Sequence, residues 1–404
     1  MAMDSESADN VYKRRWVILG VMYLCVLSFA FALQSLPPVL TLIMAELKLS
    51  HAQGGRLMSF FALPGIIISI PAGILADRYS QKTLGAVSLL LVIGGTALVA
   101  MGSSLPSLAL GRLVSGFGAI TLLVIAPQLL AQWFIGREVG IAMGVFNTGM
   151  PFGTVLSLNF LSIIGEHMGW RASIWTGAVV SLLTLVVFLR LFTPAPKKDR
   201  EIPAPPKHLL EELRLVGTSV WLLGAAWLFF NAALISLYTF TPDFLRSSGF
   251  SITSAGFYTS AFVWSGVVMG PIIGWLIDKK GRKRLLIGFS GMILSLFLVL
   301  FPSITGGILP FILCFGLFQS FIPTPIFALV PDLVHPTRLG LGYGILSTCV
   351  NLGIVAGPFA TGWVIDLSGS YQASYNLMSS FAILVTVSML FLGRRSDKPA
   401  DPFS

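Results

Sequence analysis

Long apolar runs, separated by short polar segments, follow one another along most of the chain. A helix needs about 20 mostly apolar residues to cross the hydrocarbon core of a membrane. Twelve runs of this kind can be drawn, at 16–36, 56–76, 84–103, 107–130, 140–163, 171–190, 218–240, 255–277, 285–302, 307–330, 340–363 and 373–392. The runs are uniformly apolar and do not alternate at every second residue, which excludes a β-barrel. The sequence therefore predicts an all-α integral membrane protein with twelve transmembrane helices.

The composition agrees with a lipid environment and excludes two other classes of chain. Of the 404 residues, 55% are hydrophobic and 11% are charged, whereas about 25% of a soluble domain is charged. A disordered chain is excluded as well, because 30 Phe and 9 Trp would not stay hydrated. We expect the lipid bilayer to be the main surroundings of the chain.

The net charge of +9 acts as a topology signal. If 13–15 is cytoplasmic and the chain changes sides at each run, all but five of the 26 Lys and Arg fall on the cytoplasmic side. The five are Lys48, Arg56, Arg112, Arg171 and Arg246. This positive-inside distribution predicts a multi-pass protein of the bacterial inner membrane with both termini cytoplasmic. It gives no indication of nucleic-acid binding.

The longest polar interruption, rich in proline and charge, divides the runs into two sets of six. It predicts five segments: a cytoplasmic N-terminus at 1–15, a six-helix bundle at 16–192, a cytoplasmic linker at 193–215, a second bundle at 216–392 and a cytoplasmic tail at 393–404.

The two sets of runs contain related sequences in the same order. Gly73–Lys82 corresponds to Gly274–Lys283 at an offset of 201, and Gly140–Gly144 corresponds to Gly340–Gly344 at an offset of 200. Further along, Pro151 and Pro358 lie in a third pair of related segments, at an offset of 207. Parallel repeats with a site between them are a transporter architecture. We therefore expect two pseudo-symmetric six-helix bundles.

These motifs resemble those of the major facilitator superfamily. Both copies of the first motif are similar to that family's loop signature, although the first copy has Ser80 and Gln81 at two of its positions. Arg112, followed by Gly116 and Gly118, resembles a second family motif. The resemblance implies secondary transport by alternating access, with spans 1, 4, 7 and 10 lining the cavity.

The loop motif also suggests a latch. Asp77 ends the second span on the side where the eleventh begins, and Asp278 is placed in the same way toward the fifth. A carboxylate is stabilised near a helix N-terminus, so both contacts would hold the cytoplasmic side shut. The basic neighbours would pair with carboxylates and lipid headgroups: Arg78, Lys82, Lys279 and Arg282. A charged turn with topological anchors is the alternative.

Arg112 is the one cation predicted inside a span. Charged residues deep in lipid are pointers to function, so Arg112 is a candidate for binding an anionic substrate or for coupling. A structural or gating role is the third interpretation, because a long side chain near a span end can reach the interface. No Asp or Glu lies near the middle of a span, which argues against cationic substrates.

Neutral polar residues complete the candidate substrate site. Tyr23 and Gln34 share a face of the first span, and Asn231 and Tyr238 share a face of the seventh. The remaining candidates are Trp264, Gln319 and Asn351. They would hydrogen-bond a small solute in the cavity, and hydrogen bonding between helices is the alternative.

Glycine and proline are clustered inside the fifth and eleventh spans. Small residues allow close approach of membrane helices, and proline kinks a helix. We assign helix packing, with a kink at Pro151, to this group: Gly144, Gly149, Pro151, Gly357 and Pro358.

The motifs of several enzyme classes are missing from the sequence. It contains no Walker loop, no H-E-x-x-H, no C-x-x-C and no G-x-S-x-G, so we expect no enzyme, no cofactor and no metal. The resulting prediction is a monomeric secondary transporter of a small organic anion or neutral polar solute, with a proton or a counter-anion as coupling ion. Efflux of hydrophobic drugs, a passive channel and a membrane-embedded enzyme are the alternatives.

Overall fold

The computed structural model describes residues 5–78, 80–134, 138–194, 217–280, 282–304, 306–334 and 339–396. Every regular element in these ranges is helical. The helices are α1 (Ser5–Leu33), α2 (Leu40–Leu47), α3 (His51–Arg78), α4 (Gln81–Met101), α5 (Leu105–Trp133), α6 (Val139–Leu191), α7 (Thr218–Ser247), α8 (Ile252–Lys280), α9 (Lys283–Leu300), α10 (Ile308–Ser320), α11 (Pro323–Leu333), α12 (Leu339–Ser368) and α13 (Tyr371–Ser396). Two short 3₁₀ turns, Pro37–Val39 and Phe301–Ser303, complete them.

The bundle is described by two halves and two ends. The N half comprises α1–α6, and the C half comprises α7–α13. The terminal end is the end at which α1 begins and α13 ends. The distal end is the opposite one, where α1 ends and α3 begins.

The 53-residue helix α6 is a hairpin of two helical arms. Gly169 breaks the helix with φ 83° and ψ 166°, a left-handed backbone that glycine adopts without steric penalty. The Ser173 hydroxyl donates to the Leu161 carbonyl at 2.9 Å, although a straight helix would hold two residues so spaced about 18 Å apart. The arms therefore fold back on each other at the distal end and account for two predicted spans.

Nine segments of the described residues are long and apolar enough to cross a membrane, and one of them contains the α6 hairpin. The helices α3 and α8, with 28 and 29 residues, have a spanning length but are not among those nine. The all-helical membrane architecture is confirmed. The count of twelve spans stays a prediction.

Equivalent contacts recur in the two halves. A Cβ at Gly116 would meet the Phe61 carbonyl where α5 packs on α3, and one at Gly316 would meet the Phe262 carbonyl where α10 packs on α8. These residue pairs are offset by 200 and 201 positions, as the duplication predicts. The segment boundaries drawn from the sequence stay predictions, and most of the linker at 193–215 lies outside the described residues.

Two helix breaks lie among buried residues of the bundle. The first span ends at Leu33, three residues before its predicted end, and a buried segment that includes the 3₁₀ turn Pro37–Val39 separates it from α2. The tenth predicted span is divided into α10 and α11. Proline lies just beyond each break, at Pro37 and Pro323, where its missing N–H and its ring prevent the preceding helix from continuing.

Candidate functional site

Arg112 lies at the first of these breaks and is 1% exposed. Its guanidinium donates from Nε to the Leu57 carbonyl at 3.0 Å and from the two Nη atoms to the carbonyls of Ala32 and Leu33 at 2.6 and 3.2 Å. The guanidinium carbon also lies 4.4 Å from the centre of the Phe61 ring. Non-helical backbone within a membrane must be satisfied by other protein groups, and Arg112 does this for the end of α1.

This geometry bears on the three interpretations of Arg112. The side chain does not reach the interface, because it is buried between α1, α3 and α5. Its described hydrogen bonds go to protein groups, and no Asp or Glu is among them. The contacts favour a positioning role over direct contact with a substrate.

Gln319 and Tyr238 are brought together at the second break. The Gln319 amide nitrogen donates to the Tyr238 hydroxyl at 2.8 Å. Gln319 is 7% exposed, and its buried amide oxygen has no hydrogen-bond partner among the described residues. A buried acceptor in this state carries an unmet desolvation penalty of about 1–3 kcal/mol.

Gln34 has the same property at the break between α1 and α2. It lies one residue beyond the end of α1, so it does not continue the Tyr23 face of that helix as the spacing predicts. Its side chain is buried, and its amide oxygen has no hydrogen-bond partner within the part of the chain that the structure describes. Each of the two breaks thus carries an amide oxygen that the described groups leave unsatisfied.

A polar chain crosses between the halves at Trp264. The Asn159 side chain on α6 donates to the Ser260 hydroxyl on α8 at 2.8 Å, and the Trp264 indole donates to the same hydroxyl at 3.2 Å. Trp264 remains 37% exposed, so part of its ring is free for contact. Asn159 is absent from the predicted site; its position within an apolar span is the signal that would have found it.

Of the other three candidates, one contacts a neighbouring helix and two bond within their own helices. The Tyr23 hydroxyl of α1 lies 3.4 Å from the Thr148 hydroxyl on α6. Asn231 and Asn351 donate at 2.8 Å to carbonyls one turn earlier in their own helices, those of Trp227 and Ser347. These contacts do not join the three to Gln319 or Trp264.

Two carboxylates bind helix N-termini across the halves at the distal end. Asp366 of α12 accepts the backbone N–H groups of His51 and Ala52 at the start of α3, at 2.9 and 2.8 Å. Glu166 of α6 accepts the N–H of Thr253 at the start of α8, at 2.7 Å. The two acids are offset by 200 residues. We call these contacts the α3–α12 seam and the α6–α8 seam.

The α3–α12 seam contains a further cluster around Asp243. This carboxylate of α7 is 4% exposed. It accepts hydrogen bonds from the hydroxyls of Thr41 at 2.9 Å and Tyr371 at 2.7 Å, and it pairs with His51 at 3.1 Å. Because Thr41 and His51 belong to the N half, the cluster joins the halves.

Two described ion pairs at the terminal end each lie within one half. Arg15 pairs with Glu138 in the N half, and Lys283 pairs with Asp332 in the C half at 2.7 Å. The structure does not describe the side chains of four residues of the proposed latch: Asp77, Arg78, Asp278 and Lys279. The side chains of the other two, Lys82 and Arg282, are described and are exposed. The latch therefore stays a prediction.

The packing residues are in close contact at most of the expected positions. A Cβ at Gly149 would lie 3.1 Å from Val26, and one at Gly357 would overlap the Ala232 carbonyl. The Pro358 carbonyl lies against Gly55 of α3. Gly144 differs from the expectation.

A Cβ at Gly144 would meet nothing within 4 Å, so its position in this structure does not require glycine. Pro151 lies inside the first arm of α6, and the kink assigned to it stays a prediction.

The family model described as Major Facilitator Superfamily matches residues 22–316 and 245–404. The chain belongs to the Major Facilitator Superfamily. It is 23% identical to a hexuronate transporter of Bacillus subtilis, over 88% of this chain and 89% of the relative. It is 26% identical to a 3-(3-hydroxy-phenyl)propionate transporter of Escherichia coli, over 98% of both.

Solved structures share the fold of this chain. A bacterial homologue of the human lysosomal transporter Spinster, in an inward-facing and unoccupied conformation, aligns with a TM-score of 0.79 at 18% identity, over 96% of this chain and 99% of that one. Membership of the superfamily makes the chain a secondary transporter of small molecules and not an enzyme.

Proposed function

We propose that this chain carries a small hydroxylated organic acid across the bacterial inner membrane by alternating access. The names of the two relatives support the class of substrate. A hexuronate and a hydroxyphenylpropionate each combine a carboxylate with at least one hydroxyl group. An organic anion is thus favoured over a neutral polar solute.

The observation that carries the proposal is the unpaired amide oxygen of Gln319 at the break between α10 and α11. Substrate sites in transporters are built at discontinuous helices. An acceptor there suits a hydroxyl donor of the substrate, and Tyr238 holds the amide in orientation. A substrate hydroxyl replaces the hydrogen bond that the protein leaves unmade.

The charge of Arg112 supports an anionic substrate without direct contact. Its guanidinium is bound by carbonyl dipoles, and its described partners include no carboxylate. A charge that is not neutralised acts over a longer distance in a low dielectric than in water. The N half therefore offers a positive field to an anion between the halves.

The contacts that close the distal end favour a conformation in which the bundle opens toward the terminal end. Four side chains bind across the halves at the distal end: Asp243, Asp366, Glu166 and Asn159. If the terminal end is cytoplasmic, as the charge distribution predicts, this conformation is inward-facing. Alternating access then requires both distal seams to open.

Uptake into proteoliposomes tests the proposed substrate and the role of Gln319 together. We expect the wild type to prefer a hydroxylated acid over its deoxy analogue by about 10- to 100-fold in kcat/KM, because the deoxy compound leaves the amide oxygen unpaired. Gln319→Leu removes the acceptor and should reduce this preference to about twofold or less, mainly by lowering uptake of the hydroxylated acid.

Gln372→Leu is the matched control, because Gln372 is half-buried at the distal end, away from Gln319, and bonds to Val299 and Asn376. It should keep the wild-type preference. Exchange of labelled for unlabelled acid separates a carrier from a channel. If Gln319→Leu keeps the wild-type preference for the hydroxylated acid over its deoxy analogue, the assigned site is wrong. If none of the hydroxylated acids tested is exchanged, the proposed function is wrong.

A further inference from the structure

We propose that His51, held between Asp243 and Asp366, is a proton-binding site whose occupancy keeps the distal end closed. The proposal rests on the proposed alternating-access function, because it needs a second conformation in which the distal end is open. It assigns a ligand, the proton, to a cluster that lies away from the substrate site at Gln319.

Both ring nitrogens of His51 face carboxylate oxygens. Nε2 lies 3.1 Å from Asp243 Oδ2, and Nδ1 lies 3.0 Å from Asp366 Oδ1. A neutral imidazole has one N–H and one acceptor nitrogen, whereas the imidazolium has two donors. Two hydrogen bonds to two carboxylates therefore require one proton more than a neutral histidine supplies.

The surroundings of the two carboxylates keep them as acceptors. Asp243 accepts from the hydroxyls of Thr41 and Tyr371, and Asp366 accepts from the backbone N–H groups of His51 and Ala52. In each of these contacts a carboxylate oxygen is the acceptor, so the donor protons belong to the surrounding groups. The extra proton is therefore placed on the imidazole of His51.

The groups that face His51 come from three helices of the C half. They are Asp243 and Phe240 of α7, Asp366 of α12, and Tyr371 of α13, whose ring lies edge-on with its centre 6.0 Å away. The described ion pairs of both acids are with His51. Opening the distal end separates the imidazole from both negative charges.

The sign of the pH dependence follows from this separation. His51 lies before the predicted span at 56–76, and the hydrogen bond and charge of Asp243, with those of Asp366, raise its pKa above 6.5 while the distal end is closed. In the open state the pKa returns toward about 6.5. Protonation thus stabilises the closed distal end below about pH 6.5, and this stabilisation is lost as the pH rises through the raised pKa.

The α6–α8 seam provides a matched comparison. There, Glu166 binds the Thr253 N–H directly, and no imidazole stands between two acids. His167, next to Glu166, is an exposed distal histidine of the N half. His167→Gln therefore controls for the general effect of removing a distal histidine.

Spin-label distances across the distal end test the proposal on the full chain in nanodiscs. Labels at Ser103→Cys and Ser303→Cys, both exposed, report the separation of the halves after replacement of Cys25, Cys314 and Cys349. We expect the closed-to-open ratio to fall about tenfold or more between about pH 5.5 and 8.5. His51→Gln should abolish this dependence, whereas His167→Gln should retain it.

Asp243→Asn gives a second readout that does not depend on the His51 variant. It removes one negative charge from the imidazole and should lower the pH midpoint by about one unit. Equal pH profiles for wild type and His51→Gln would overturn the proposal, as would an unchanged midpoint in Asp243→Asn. If the distances change with added substrate but not with pH, the proton site alone is wrong. Distances that never change would refute alternating access itself.

Discussion

Replacing Gly55 by alanine should reduce transport by about 100-fold or more while the chain remains folded. A Cβ at Gly55 would overlap the carbonyl oxygen of Pro358. Gly55 belongs to α3 and Pro358 to α12, so this contact lies between the halves. A backbone oxygen on a packed helix cannot turn aside as a flexible side chain can. The added methyl group therefore acts against the closed distal end.

The expected size follows from the two-state equilibrium. The substitution destabilises the closed conformation and leaves the open one unstrained, since the two helices are apart there. A shift of 100-fold in the equilibrium corresponds to about 2.7 kcal/mol, and overpacking of a tight contact commonly costs about 1–3 kcal/mol. A carrier held in one conformation cannot complete its cycle.

Uptake assays and the label pair at positions 103 and 303 would check this result. Gly144→Ala is the matched control, because a Cβ there would meet nothing within 4 Å, and it should keep wild-type uptake. The melting temperature in detergent should be similar for both variants. Wild-type uptake by a folded Gly55→Ala protein would show that the α3–α12 contact does not have to close during transport.

The membrane architecture could be predicted because its signals are local. An apolar run reports its own environment, and the duplication is visible as repeated residues at offsets near 200. The break inside the tenth span was missed for the same reason, since a run of apolar residues has the same hydropathy whether its helix is continuous or divided. Pro323 was the available signal for it. The end of the first span was predicted at residue 36, three residues beyond Leu33, where α1 ends.

The distal seams could not be predicted from local patterns. Asp366 and His51 are 315 residues apart, and no spacing rule links them. The predicted latch used the same physical device, a carboxylate at a helix N-terminus across the halves, and placed it at the terminal end. The structure shows this device at the distal end, with Glu166 and Asp366 as the acids.

The sequence showed that Arg112 is a charge within an apolar span, but it did not decide what that charge does. Three roles remained open. The choice among them depends on where α1 ends, because the carbonyls of Ala32 and Leu33 are available only at that break. Knowledge of the break was therefore needed before the guanidinium could be assigned to positioning.

Arg112→Met should lower the free energy of unfolding by about 1–3 kcal/mol. The substitution removes the guanidinium donors from the carbonyls of Ala32, Leu33 and Leu57. The Ala32 carbonyl keeps the Ser35 hydroxyl, and each buried group left unsatisfied costs about 1–3 kcal/mol. Arg112→Lys keeps the charge but cannot reproduce the planar fork, so its loss should be intermediate. Thermal unfolding in detergent, followed by size-exclusion chromatography, measures both.

Arg190→Gln is the matched control, since Arg190 is exposed at the end of α6 and should change stability by less than about 0.5 kcal/mol. A positioning role also predicts that Arg112→Lys retains the preference for hydroxylated acids that Gln319 confers, because the break in α1 still forms when one donor group remains. A stable Arg112→Met protein that has lost only its affinity for anions would contradict this role. It would place the guanidinium in direct contact with the substrate, through a rearrangement that releases three backbone carbonyls.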